Sequence, residues 1–370
     1  MRPSAFFGLP AGAAATALAL GCFLSAANAQ TLAERANRGL VELMTSGDAA
    51  AIGMAQDLAS VLDDGATRRL LPVVGHGTTE DLIDLKALHG LDMAIVQTDV
   101  LDYARRHDLP GLEGGVSYIA KLHNEELHLL ARAEIKRIED LAGKKIDCAG
   151  GAKVTGPAVL ALLHVKAELI FDDHATALQK LRSGDVAAMA YVAAKPTPVF
   201  NAMRSEDGLH FVAIPFAPAL AKAYVPAQLT AKDYPRLLAD DASVETVAVG
   251  MALMVANLSP NTDRYRNVAN FVDAFFTQFS RLEERPHHPK WKDVNVAAEL
   301  PGWKRFGPAD AWLKRNAVAA APRLDEKELR QIFAKFLDER AKASGSQSLT
   351  AEQKDELFDQ FRRWQDSSLR

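Results

Sequence analysis

The amino-acid sequence predicts an α/β protein of two lobes joined by a two-strand hinge, followed by a C-terminal helical extension. Three observations predict it. Short β-rich runs alternate with amphipathic helical runs through most of the chain, the order that builds parallel sheets with crossover helices. From Tyr118 the pattern changes into a second α/β unit, set inside the first. After Pro322 the strands stop and only helical stripes remain.

The N-terminus carries Arg2, a nearly uncharged apolar run from about Ala5 to Leu24, and small residues at Ala27 and Ala29. Small side chains fit the shallow subsites of signal peptidase, so residues 1–29 read as a cleavable signal peptide cut after Ala29, and the mature chain is expected in the periplasm. A retained anchor would need about 20 apolar residues. Cys22 follows Ala19-Leu20-Gly21, a poor lipoprotein box. No later run is apolar and long enough to span a bilayer, so no stable membrane insertion is expected.

The first lobe is expected from residues 30–123 and 215–322. Leu40–Met44 reads as a strand, and Thr45–Asp48 turns into a helix with Ile52, Ala55, Leu58, Ala59 and Leu62 on one face. Leu70–Val74 is the second strand. Thr78, with Asp81 three residues on, is the expected N-cap of the helix that follows. Asp92–Val96 is the third strand and runs through Gln97-Thr98-Asp99 into another helix. Helices at Thr262–Leu282 and Asp310–Val318 are expected to return to this lobe.

The second lobe is expected from residues 124–214. Tyr118–Leu122 and Leu127–Ala131 read as two strands separated by Asn124-Glu125-Glu126. A short helix at Ile138–Leu141, a strand at Lys145–Ala149, a glycine-rich loop at Gly150–Gly156 and a helix from about Pro157 follow. Strands at Leu169–Phe171, Ala187–Ala193 and Leu209–Pro215 complete the unit, and Val244–Val255 reads as an apolar strand pair. An inserted lobe makes the chain cross twice, which gives a two-strand hinge and a cleft that closes around a ligand. In the tail, residues 323–370, Leu329, Ile332, Phe333, Phe336 and Leu337 form one stripe. Thr350 with Gln353 forms a capping box ahead of Leu357, Phe358, Phe361 and Trp364, so the tail reads as a helical hairpin.

The 43 basic and 47 acidic residues give a net charge of −4, and cleavage removes Arg2 and no acid. That balance leaves no footprint for nucleic acid. Cys148 alone survives cleavage, so no intrachain disulfide is expected. Gly75-x-Gly77 has Glu80 where a dinucleotide fingerprint needs its third glycine, and the Gly150–Gly156 loop lacks P-loop order. His123–His128 matches no zinc-hydrolase spacing and reads as structural; His287-His288 reads as a surface loop. No nucleophile motif is present, and neither catalysis, a metal nor a cofactor is expected. What remains is a set of strand-to-helix loops with small hydroxyl and glycine residues, at 45–48, 75–79, 97–99 and 150–156. Ligands of open α/β sheets sit beyond the carboxyl ends of the strands, where helix N-termini present free N–H groups and a positive partial charge. Several such ends would hold a carboxylate.

Four stretches carry a family resemblance. Leu70–Gly77 is followed by Asp81-Leu82 and by Leu91–Val100; Leu129-Leu130-Ala131 leads to Ile138–Lys145; and Val247–Gly250 is similar too. Over about residues 38–315 the sequence resembles the TAXI family of solute-binding proteins, the extracytoplasmic receptors of tripartite ATP-independent periplasmic (TRAP) transporters. The resemblance implies a type II periplasmic-binding fold, no catalysis, capture of a small organic anion such as a dicarboxylate, keto acid or amino acid, and delivery to TRAP membrane permease subunits. One departure stands out: family members often carry a tyrosine in the loop after the first strand, and residues 45–51 have none. Asp48 there would repel an anion or orient a ligand amine. The expected ligand contacts are Ser46, Gly47, Thr78, Gln97, Thr98, Lys153, Thr155 and Tyr191. Thr78, Thr98, Thr155 and the Gly47 backbone would donate, Gln97 would read a carbonyl or amide, Lys153 would supply positive charge, and Tyr191 would cover the ligand. The alternative is a periplasmic sensor or scaffold acting on a partner protein through the C-terminal helices.

Overall fold

A computed structural model describes residues 37–107, 112, 114–205, 208–316, 330, 334, 349–355 and 357–358. The expected signal peptide, residues 1–29, and Cys22 lie outside the described residues. So do Leu329, Ile332, Phe333, Phe336, Leu337, Phe361 and Trp364 of the tail. Among the described residues, no helix is long and apolar enough to cross a membrane.

Three strand–helix repeats open the fold: β1 (Leu40–Thr45) and α1 (Ala49–Leu62), β2 (Arg69–Val74) and α2 (Thr78–Ala87), β3 (Leu91–Gln97) and α3 (Thr98–Arg106). β1 lies between β2 and β3 and pairs in parallel with both. All seven residues of β3 are buried, as a strand covered on both faces requires. Met54, Leu58 and Leu62 of α1 and Leu82 and Leu85 of α2 fill the core with Leu43 and Met93. Each Leu or Met buried in this way stabilises the fold by about 1.5–3 kcal/mol.

The second lobe is built on β4 (Val116–Arg132), β5 (Lys145–Ala149), α4 (Ala152–Leu162), β6 (Glu168–Ile170), α5 (His174–Ser183) and β7 (Ala188–Ala193). α6 (Pro198–Asn201), β8 (Leu209–Phe211), β9 (Tyr224–Thr230) and β10 (Ser243–Ala256) follow. β5 pairs in parallel with β6 and β7. Alternation sorts the side chains: Ala188, Ala190 and Val192 join Leu127, Leu129, Ile146 and Cys148 on one face, while Met189, Tyr191 and Ala193 join Phe200, Phe211, Leu229 and Tyr234 on the other. Cys148 is buried and its thiol is pushed up to about 12 by that burial, which makes it an inert packing residue.

Two corrections reveal how the lobes join. β4 is one continuous strand of 17 residues, where the sequence reads as two strands around Asn124-Glu125-Glu126. β10 is one strand of 14 residues, where a strand pair is expected. Residues 116–126 of β4 pair with β10, and residues 126–131 pair with β7. The first half of β10 pairs with β9, and Met251–Val255 pair with β3. Both long strands therefore start in one lobe and end in the other. The sheet runs β2-β1-β3-β10-β4-β7-β5-β6, with β8 on β4 and β9 on β10. The fold is the expected α/β class, two lobes on a two-strand hinge, and the strands cross where Gly250 faces Asn124. Leu220, Tyr224, Leu229, Tyr234, Leu237 and Val247 pack in the cores of the second lobe, although the expected boundary at 215 assigns them to the first.

Past the hinge, α7 (Asp263–Thr277) returns to the first lobe. Arg264 donates to Asp92 at 2.8 Å and to the Leu91 carbonyl at 2.7 Å, and Asn267 donates to the Leu40 carbonyl. After α8 (Phe279–Leu282) a turn at Pro289–Asp293 is pinned to α1, where Asp57 accepts from the His288 backbone N–H at 2.7 Å and from the indole of the fully buried Trp291 at 2.9 Å. His288 is thus partly buried and tied down, not a free surface residue.

The described residues from Glu299 onward belong to a second compact unit. It contains α9 (Gly307–Asn316), with a Lys314–Asp310 pair at 2.8 Å. Residues 351–355 are helical, and Thr350 and Gln353 exchange the two hydrogen bonds of a capping box. Arg330 lies over the ring of the buried Phe358 at 4.7 Å.

Candidate functional site

The carboxyl ends of β1 and β3 and the crossing point of the hinge meet the second lobe at one place. Asp48 is the N-cap of α1: its Oδ1 accepts from the N–H groups of Ala50 and Ala51 at 3.0 and 2.9 Å, and its Oδ2 accepts from Ser46 Oγ at 2.5 Å. Burial, then the charge of Glu125, raise the Asp48 carboxyl to about 6. On β4, His123 Nε2 lies 3.3 Å from Glu125 Oε1, both residues at most 2% exposed. Burial, then the neighbouring Glu126 charge, raise Glu125 to about 8. Burial, then Lys290, lower His123 to about 4. Glu126 differs: it accepts from Lys290 at 3.0 Å and from the Lys195 backbone N–H at 3.1 Å, so its charge is matched.

Tyr191 reaches this cluster from β7. Its ring stands edge-on to Phe200 at 5.9 Å, and burial, then the charges of Asp48 and Glu125, raise its phenol. The approach requires glycine at position 150, where a Cβ would stand 3.1 Å from the Tyr191 ring and the backbone has φ +55°.

A second set of residues touches across the lobes. Asp99, in the first turn of α3, is fully buried and accepts from Thr155 of α4 at 2.7 Å and from Tyr224 of β9 at 3.0 Å. Burial raises the Asp99 carboxyl despite these two donors. Gln97 packs against Gly151, where a Cβ would lie 2.9 Å from Gln97 Nε2. Thr98 lies beside Gly250, where a Cβ would stand 3.3 Å from Thr98 Oγ1 and 3.0 Å from Lys121 Cε. The lobes are in contact along this line.

The expected contacts therefore divide. Ser46 and Tyr191 border the Asp48–Glu125 cluster. Gln97, Thr98 and Thr155 lie along the interlobe contact, and the Thr155 hydroxyl is committed to Asp99. Gly47 is exposed at the end of β1. Thr78 is the first residue of α2 and not its N-cap: Gly77 takes that place with φ +140°, and Asp81 Oδ1 reaches back to the N–H groups of His76 and Gly77 at 3.0 and 3.3 Å. Lys153 stands in the first turn of α4, because that helix starts at Ala152 and carries Pro157 inside it. Sequence reasoning missed Asp99, Tyr224, Glu125 and His123 as members of the site. His123–His128 does carry hydrogen bonds between side chains, His128 to Tyr234 at 2.7 Å among them. Among the described residues, no group of three or more His, Cys, Asp or Glu could hold a metal ion. A separate open depression of about 460 Å³ lies at the outer end of β4, lined by Arg132, Glu134, Arg182 and Leu209, away from the residues above.

No family model matches the chain, and no curated protein does. Among solved structures the chain is similar to a periplasmic transporter, at 12% identity over 75% of this chain and 93% of that one, with a TM-score of 0.45. It is similar to the periplasmic binding protein BugD, at 12% identity over 76% and 94%, with a TM-score of 0.43. It is also similar to the GluR0 ligand-binding core from Nostoc punctiforme in complex with L-glutamate, at 14% identity over 68% and 99%, with a TM-score of 0.42.

Proposed function

We propose that this protein is a periplasmic solute-binding receptor that closes its two lobes on a small molecule and delivers it to TRAP membrane permease subunits. The observation that carries the reading is the pair of strands β4 and β10, which cross between lobes beside a buried polar cluster. Strands that pass through both lobes let them rotate without losing their cores, and the Asp99–Thr155 and Gln97–Gly151 contacts are of the kind that form on closure. The reading is one of binding without catalysis. A carboxylate on the solute is supported by α4, whose N-terminus has no side-chain cap and no acid in its first turn, and which carries Lys153 there.

A solute that binds only the folded chain must raise its melting temperature. The test is a thermal-shift panel of dicarboxylates, keto acids and amino acids. A response to one class is expected, and a flat response to the whole panel overturns the reading. Uptake measured with and without residues 323–370 decides whether the tail takes part in delivery.

A further inference from the structure

We infer that Asp48, Glu125, His123 and Tyr191 bind the ammonium group of a small amine-bearing solute, so that the cleft recognises a cation and not an anion where the end of β1 meets the hinge. The inference deepens the receptor reading and rests on it.

The first ground is the fate of the helix N-termini that an anion would need. α1 spends its free N–H groups on Asp48, and the turn before α2 spends those of His76 and Gly77 on Asp81. α3 carries Asp99 in its first turn, where the N–H groups of Val100 and of Asp99 itself favour its ionised form. The positive poles of α1, α2 and α3 are thus each answered by one of the protein's own carboxylates. An anionic solute beside α1 would meet Asp48, while Asp81 and Asp99 occupy the poles of α2 and α3 from buried positions.

The second ground is an acceptor that lacks a donor. His123 is 1% exposed, and its Nδ1 has no hydrogen-bond partner. Where the ammonium of a solute holds Glu125 ionised, His123 Nε2 carries the proton toward it and the unpartnered Nδ1 is left as an acceptor. A buried acceptor without a donor is costly, and an ammonium N–H supplies what is missing. The third ground is charge. The Glu125 charge opposes ionisation of Asp48, the Glu126 charge opposes that of Glu125, and the neighbouring Lys290 is bound to Glu126. A cation placed between Asp48 and Glu125 converts that repulsion into attraction, and an aromatic ring at Tyr191 adds a favourable surface for it.

The test uses matched pairs on the full mature chain at pH 8: L-glutamate against glutarate, L-leucine against 4-methylpentanoate, and 1,5-diaminopentane against pentane-1,5-diol. The expected result is that the ammonium-bearing member of at least one pair raises the melting temperature while its partner does not. Asp48→Asn and Glu125→Gln should each weaken that binding at least tenfold by titration calorimetry, while the ligand-free melting temperature at pH 8 is no lower than that of the parent. Equal stabilisation by the members lacking nitrogen, or unchanged affinity in both variants, overturns the inference and leaves the receptor reading standing. A flat response to every probe overturns the receptor reading itself.

Discussion

The helix ends that line the candidate site differ between the two lobes, although α5 of the second lobe is capped by Asp173 just as α1 is capped by Asp48. In the first lobe α1, α2 and α3 each meet an aspartate at the N-terminus. In the second lobe α4 begins at Gly151-Ala152 with no capping side chain, no acid in its first turn and Lys153 in that turn. Both sets follow parallel strands, and both belong to the same mixed sheet. Strand-to-helix geometry alone therefore does not decide what a cleft attracts. The residue that answers the helix pole decides it: on the reading proposed above, α1 would face the cationic end of a solute and α4 the anionic end.

The largest way to break this contrast is at Gly75. A Cβ there would lie 1.9 Å from Asp81 Oδ1 and 2.9 Å from Met44 Cγ. Gly75→Ala should expel the Asp81 carboxylate from the turn and cost about 4 kcal/mol in denaturant unfolding, because the overlap falls on a partly buried cap and on the core at once. Next is the link between the lobes. Thr155→Val removes one of the two donors to buried Asp99, and should cost about 1–2 kcal/mol of stability and weaken solute binding about tenfold, measured by titration calorimetry. Lys153→Glu gives the second lobe the acidic first turn of the first lobe. Solute affinity should fall about fivefold, with a change in melting temperature of under about 2 °C.

The smallest effect sharpens the contrast through pH. Glu125 has a folded-state pKa near 8 against an ordinary value of 4.5. Between those values the folded chain keeps a proton that the unfolded chain has released, so stability falls as pH rises through the window. Glu125→Gln should therefore melt about 2–4 °C above the parent at pH 8, with the gap closing below about pH 4.5. His123 works in the other direction: lowered from 6.5 to about 4, it withdraws stability as pH falls through that range, in parent and variant alike.

Much of this architecture was legible in the chain. β1 and α1 declare themselves through apolar positions on one face, and β3 through a largely apolar run, because β3 is buried on both faces. The long strands were not, since Asn124-Glu125-Glu126 has the composition of a turn and only tertiary burial turns it into strand. β9 was missed for a similar reason: Pro226 and Gln228 blur its alternation, although it pairs with β10 over seven residues. The start of α4 was hidden by Gly150, Gly151 and Pro157, each of which argues for a loop when read alone. Asp48 and Asp81 were visible as residues, but whether an acid beside a helix end caps that end or leaves it open depends on its rotamer, which no spacing encodes.

The continuity of β4 and β10 bears on how the molecule comes apart. A receptor whose lobes were separate beads could lose one and keep the other. Here each lobe contributes strands to the same two hydrogen-bonded ladders, so melting one lobe strips the partners from residues that the other needs. Both lobes of the body should therefore unfold in one cooperative transition, and the slowest-exchanging amides should sit in β4 and β10 around the crossing rather than at either lobe's centre. A solute seated against Asp48 and Glu125 would then protect amides at both ends of the sheet together.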